Sequence, residues 1–212
     1  MVTIPKNIKQ ALCKISNAAN SALALVSGRP IAELDNLIAP LYAPTAGIHG
    51  ADRRNARKEL YRELLPEHIA SRLAQELKQA IALFDGCYLE EKRIAFALHY
   101  RQGEHYRDKI LALAQDQVKR YPKLVLQAGK CVVELKPAGI DKGTAIAAFM
   151  QESPFTGRIP LFIGDDLTDE SGFKQVNALG GITIKVGPGP TLARYHLDDV
   201  NQVHQWILML AK

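Results

Sequence analysis

Ile69, Leu73, Leu77 and Ile81 recur every fourth position in LPEHIASRLAQELKQAIALF (65–84), the spacing that lays one apolar stripe along a helix. A second amphipathic helix is predicted over EHYRDKILALAQDQVKRY (104–121). Between them, CYLEEKRIAFALHYR (87–101) alternates apolar with polar positions as antiparallel strands do. LVLQAGKCVVELKP (124–137) reads as a hairpin turning near Ala128-Gly129. The order αββαββ predicts a small α+β unit.

The flanking sequence has another texture. Residues 6–18 predict a helix, and SALALVS (21–27) a buried parallel strand bounded by Gly28. A helix over 30–38 should end at Pro40, and LYAPTAGIHG (41–50) reads as a strand and turn. After Pro137, predicted helices over 141–152, 167–179 and 203–210 alternate with the apolar strands IPLFIG (159–164) and ITIKVG (182–187). That alternation predicts an α/β fold with a doubly wound parallel sheet. The expected organisation is a core of residues 1–48 and 137–212, interrupted by an α+β cap over 49–136.

Composition narrows the classes. With 47% hydrophobic and 23% charged residues the chain reads as an ordinary globular protein. No apolar run approaches the roughly 20 residues of a membrane helix. MVTIPKNIKQ has no apolar core of a signal sequence, and the three cysteines (Cys13, Cys87, Cys131) are scattered, so the expected location is cytoplasmic with reduced thiols. The net charge of +5 is spread along the chain, with RRNARK (53–58) the only cluster and no aromatic residues between the charges. This pattern argues against nucleic acid and suits an anionic small molecule.

Chemistry concentrates in GDDLTDE (164–170), directly after the strand IPLFIG. In a doubly wound sheet, ligands sit beyond the carboxyl ends of the strands. Asp165, Asp166, Asp169 and Glu170 would repel one another unless a cation offset them, and magnesium takes such hard oxygen ligands. Asp169 and Glu170 also suit the first turn of a helix, where Thr168 could cap, whereas Asp165 and Asp166 at the strand end are left for a metal. In KPAGIDKG (136–143), Lys142 stands at a helix start, where the dipole disfavours a cation unless an anion is held there. The plainer reading is a solvated lysine beside an N-cap, Asp141. Ser27 in LVSGRP (25–30) closes a strand and could donate to a phosphate, with Gly28 letting a ligand come close, or could be a simple turn residue.

In this order, with an insert after the first element, the three resemble motifs two, three and four of the haloacid dehalogenase superfamily. SGRPIAELD, AGIHGADRR, AFALHYR, GKCVVELKP, KGTAIAAFM and LFIGDDLTDESGF are similar to segments of its bacterial trehalose-6-phosphate phosphatases, from about residue 3 to residue 207. The resemblance implies a haloacid dehalogenase-like core, Mg²⁺, and transfer of the substrate's phosphate to an aspartate followed by hydrolysis. It implies that Ser27 and Lys142 hold phosphoryl oxygens, that Asp165 ligates the metal, and that Asp166 and Asp169 act through water or orient Lys142. It also makes Arg101, Lys130 and Glu134 sugar contacts. Lys130 and Glu134 are an even number apart and would share a strand face, though a cross-strand ion pair there is equally compatible with the pattern. His49, at the junction with the insert, is a further candidate or a structural histidine. A phosphatase of another sugar phosphate, or a silent sugar-phosphate-binding module, would fit the same residues.

One departure stands out. The family begins with an apolar strand ending in D-x-D-G-T, whose first Asp is nucleophile and second is general acid/base. These 212 residues contain no such string, and the chain opens on VTIPKNIKQAL, which resembles the segment just after it. FDGCYLE (84–90) lies inside the insert and lacks the second Asp. Truncation and a natural nucleophile-free relative both fit. The unpaired sheet edges that loss of this strand would leave favour truncation.

Overall fold

A computed structural model of the chain describes residues 3–63, 65–92 and 95–212. In chain order the regular elements begin with α1 (Lys6–Ala18), β1 (Leu25–Val26), α2 (Ile31–Ile38), β2 (Thr45–Gly47), β3 (Asp52–Arg54) and β4 (Leu60–Arg62). There follow α3 (Glu67–Ile81), β5 (Tyr88–Glu91), β6 (Phe96–His99), α4 (Arg107–Arg120), β7 (Leu124–Gly129) and β8 (Val132–Pro137). The last are α5 (Lys142–Met150), β9 (Leu161–Gly164), α6 (Glu170–Ala178), β10 (Ile182–Val186), β11 (Tyr195–Leu197) and α7 (Val200–Leu210). The first three helices each start directly after a proline, Pro5, Pro30 or Pro66. Proline's fixed φ and missing N–H cost nothing at that boundary.

The chain divides into two compact units, residues 1–62 with 141–212, and residues 63–140. Residues 49–62 therefore stand with the first unit, whereas the insert was expected to start at 49. Here β3 and β4 extend the sheet begun by β2, antiparallel to it and to each other. Their charges are answered from afar. Arg54 forms a two-pronged ion pair with Asp35 at 2.7 and 2.6 Å, holding that carboxyl below the usual carboxylate range. Arg53 donates to both Glu152 carboxylate oxygens, at 3.0 and 2.8 Å.

In the first unit the strands form two sheets, β1-β2-β3-β4 and β11-β10-β9. The pairs β1–β2, β9–β10 and β10–β11 are all parallel. The α/β character is as expected, but the strands do not run as a single doubly wound sheet, and β1 and β9 are both terminal strands. The seven-residue apolar run SALALVS yields only two strand residues in β1, since ladder bonds need a partner as well as an apolar sequence. Among the described residues, no helix is long and apolar enough to cross a membrane.

The second unit is an antiparallel sheet in the order β5-β6-β8-β7. Leu73, Leu77 and Ile81 from α3 and Ile110 and Ala114 from α4 bury against Phe96, Leu98, Leu124, Val133 and Leu135. The period-four stripe and the period-two alternation thus meet in one core. The hairpin turns at Lys130-Cys131, with Gly129 opposite Val132, two residues later than the Ala128-Gly129 read from composition. Cys131 takes the left-handed backbone there, at φ 57°. All three cysteines are free, and burial, then the charge of Asp85, pushes the Cys87 thiol's pKa up.

Candidate active site

Lys142 is the first residue of α5, and its helix is capped as the plainer reading supposed. The Asp141 carboxylate accepts from the Thr144 N–H at 2.8 Å, and the Thr144 hydroxyl oxygen accepts from the Asp141 N–H at 3.1 Å. The lysine itself is not solvated. Its side chain is 8% exposed, and its Nζ donates to Asp169 Oδ1 at 2.7 Å. An ammonium buried at a helix N-terminus loses hydration and opposes the dipole, and the Asp169 carboxylate offsets both costs.

Asp169 is held as tightly as the lysine. Its Oδ2 accepts from the backbone N–H groups of Asp165 and Asp166 at 3.0 and 2.9 Å. The carboxylate folds back over the end of β9, where a Cβ on Gly164 would come within 2.4 Å of Asp169 Cγ. Glycine is the residue that permits this approach. Asp166 caps the short turn that follows, accepting from the Leu167 N–H, and the Thr168 hydroxyl lies 3.4 Å from its other oxygen. Glu170 is tied to the Thr191 hydroxyl and the Leu192 N–H, both at 2.7 Å. The four acids that looked like one cluster thus hold four different positions. Asp165 remains, exposed at the strand end, while its backbone carbonyl accepts from the Lys185 ammonium.

Lys185 is a residue the sequence reading passed over. It is 7% exposed, sits opposite Gly164 in the register of β10 on β9, and brings a second cation to the acid loop. A lone lysine near the carboxyl end of the apolar run ITIKV was the available signal.

Ser27 follows β1, its N–H bonded to Ala46 of β2 and its hydroxyl oxygen accepting from the Arg29 N–H at 3.2 Å. His49 adopts the left-handed region at φ 57° and donates its backbone N–H to the Ser27 carbonyl at 2.9 Å. Its ring lies against Gly28, where a Cβ would fall 2.6 Å from two imidazole atoms. The close approach that Gly28 allows is therefore made by His49. Gly50 in turn packs on the Asp141 carbonyl, so Ser27, the His49 turn, Lys142, Asp169 and Asp165 form one connected neighbourhood at strand and helix ends.

The remaining candidates lie in the second unit. Glu134 is central in β8, and its partner is the Lys92 ammonium rather than Lys130. Lys130 is in the hairpin turn, which corrects its expected place on the same strand as Glu134. Arg101 is exposed in the turn after β6. One face of this sheet sets Glu90, Ala97, Glu134 and Gln127 on a single rung. Beside it, Tyr88 stacks on His99 with ring centres 4.6 Å apart, and His99 Nε2 lies 2.8 Å from Glu90. These flanking polar and aromatic groups were not singled out from the sequence. Strand alternation around Glu134 could have found them.

Comparison with known proteins matches residues 1–201 to the trehalose-phosphatase family model. The trehalose-6-phosphate phosphatase of Escherichia coli is 49% identical over 209 residues, which cover 99% of this chain and 79% of that relative. A probable trehalose-phosphate phosphatase of Sinorhizobium fredii is 39% identical over 188 residues, 88% of this chain and 71% of the relative. Among solved structures, the Aspergillus fumigatus trehalose-6-phosphate phosphatase superposes with a TM-score of 0.77 at 23% identity, covering 99% of this chain and 85% of the other. The C-terminal domain of the Candida albicans trehalose-6-phosphate phosphatase gives 0.74 at 22%, covering 99% and 84%.

Proposed function

The chain belongs to the trehalose-phosphatase family, and from that premise we propose how its residues divide the work of hydrolysing trehalose 6-phosphate to trehalose and phosphate. Its core is haloacid dehalogenase-like. The observation that carries the reading is the buried Lys142–Asp169 pair at 2.7 Å beneath the acid loop. Phosphoryl transfer depends chiefly on positioning and on neutralising charge. Lys142, fixed by Asp169, supplies a positive charge that cannot swing into solvent. The Ser27 hydroxyl donates to a phosphoryl oxygen while the Arg29 N–H orients it. The reaction has a small-molecule sugar phosphate as its substrate and a cytoplasmic setting, with no nucleic-acid or membrane partner.

The residues fit magnesium in a restricted way. No group of three His, Cys, Asp or Glu side chains converges among the described residues. What the loop offers is the Asp165 carboxylate and, second, the capping Asp166. An ion that takes one or two carboxylates, with water and substrate phosphate as its other ligands, suits that supply. When bound, it would neutralise charge on the phosphoryl oxygens. Asp165→Asn is accordingly expected to weaken Mg²⁺ binding, measured by calorimetry, far more than Glu170→Gln, because Glu170 is engaged by Thr191 and Leu192. Equal effects would make the loop a helix cap and nothing more.

Glu134, with Arg101 and Lys130, is assigned to the sugar. Glu134→Ala should reduce binding of trehalose 6-phosphate by roughly ten-fold, the scale of one charged hydrogen bond, and leave inorganic phosphate binding nearly unchanged. Parallel loss of both ligands would remove Glu134 from the sugar site.

A further inference from the structure

Lysine is almost never fully buried unless a carboxylate answers it. Lys185 departs from that rule. It stands in β10, the middle strand of the β11-β10-β9 sheet, and is 7% exposed. Among the described residues its ammonium meets no carboxylate, and its partner is the backbone carbonyl of Asp165. A carbonyl oxygen supplies a dipole and no counter-charge, so the positive charge is left unanswered inside the fold.

Strand register decides where that charge acts. Lys185 lies opposite Gly164, and residues paired across parallel strands project to the same face. A Cβ on Gly164 would fall 2.4 Å from Asp169 Cγ, so the Lys185 side chain and the Asp169 carboxylate share that face. Thr183, two residues earlier on β10, donates its hydroxyl to Asn177 of α6, which places the helix over the same side. Asp169 is already committed to Lys142. The charge of Lys185 is therefore left for the acid loop itself, where Asp165 and Asp166 are exposed.

A loop of exposed carboxylates alone would retain a divalent cation and repel a phosphate dianion. A fixed positive charge beside it opposes the first tendency and offsets the second. We propose that Lys185 sets the charge balance of the site, lowering the affinity of the acid loop for free Mg²⁺ and raising the affinity of the neighbourhood for the phosphoryl group. Buried in a strand, it cannot swing away as an exposed lysine would, and salt screens it little. That trade suits a phosphatase, which must admit a dianion beside its own carboxylates. The inference rests on the assignment of Asp165 to the metal and of Lys142 and Ser27 to the phosphate.

Calorimetry on the 212-residue polypeptide tests it, with Mg²⁺ alone and inorganic phosphate alone as the probes. Lys185→Met keeps the length of the side chain without its charge. It should bind Mg²⁺ about five-fold more tightly and phosphate about five-fold more weakly, the scale of one charge at short range in partly hydrated protein. Lys185→Gln, which can still donate to a carbonyl, should move both ligands in those same directions. A merely structural lysine gives a different pattern, because a loosened loop weakens both ligands together. Weakening of both, no change in either, or a Lys185→Gln protein that behaves as the unaltered chain would each overturn the proposal. Asp165→Asn, measured alongside, tests the assignment beneath it. If Asp165→Asn weakens Mg²⁺ while Lys185→Met moves neither ligand, the metal assignment stands and the role of Lys185 fails. Unchanged Mg²⁺ binding in Asp165→Asn would remove the loop as the metal site, and the proposal with it.

Discussion

Asp169→Ala is expected to lower the unfolding free energy by about 3–5 kcal/mol, the loss seen when one member of a buried ion pair is removed. The pair qualifies, since the Lys142 and Asp169 side chains are 8% and 4% exposed. The deletion strands more than a lysine. The N–H groups of Asp165 and Asp166 lose the oxygen they share, so the loop that presents Asp165 is released as well. Urea denaturation at neutral pH measures the effect. Lys142→Met in the same background should recover part of it, giving a coupling of about 1–3 kcal/mol, because the double variant leaves no buried charge unpaired. A loss below about 1 kcal/mol for Asp169→Ala would mean that the ammonium reaches solvent or another anion, as at an ordinary surface pair. The positioning of Lys142 proposed for phosphate would then fail with it.

How far this was readable from the sequence depended on the range over which each feature is decided. The stripe of α3 and the placement of Lys142 at the first turn of α5 are set by neighbours within a turn or two, and both stand as read. β3 and β4 are a different matter. DRR and LYR look like a charged surface until Arg53 and Arg54 meet Glu152 and Asp35, 99 and 19 residues away. The hairpin turn slipped by two residues because glycine at 129 ends β7 instead of occupying the bend. In the acid loop the residue types were right and the roles were not separable. A run of carboxylates does not disclose that one caps, one grips a lysine, one anchors a distant loop and one stays exposed. The same limit hid Lys185, whose neighbour on β9 is set by strand register alone.

A polypeptide of these 212 residues is expected to release no phosphate from trehalose 6-phosphate above background, despite its family. In the superfamily it resembles, the attacking group is the first aspartate of D-x-D-G-T, and these residues contain no such string. None of the acids described can stand in for it. Asp169 is buried against Lys142 and two amides, and Asp166 holds the Leu167 N–H. Asp165 is exposed and is assigned to the metal. The Ser27 hydroxyl oxygen is engaged by the Arg29 N–H. Direct attack by water would proceed without the second aspartate, and loss of general acid–base help alone typically removes a factor of about 10²–10⁴. Forfeiting the covalent route as well should take the rate below an ordinary phosphate-release assay. A chain carrying an apolar strand that ends in D-x-D-G-T ahead of residue 1 should turn over with Mg²⁺ present, and Lys142→Ala in that chain should abolish it. The 212-residue polypeptide should nevertheless bind inorganic phosphate, since Lys142 and Ser27 are within it. Mg²⁺-dependent turnover by the 212 residues alone, lost on Lys142→Ala, would instead place the nucleophile among the residues described, with Asp165 the one carboxylate of the acid loop free to serve.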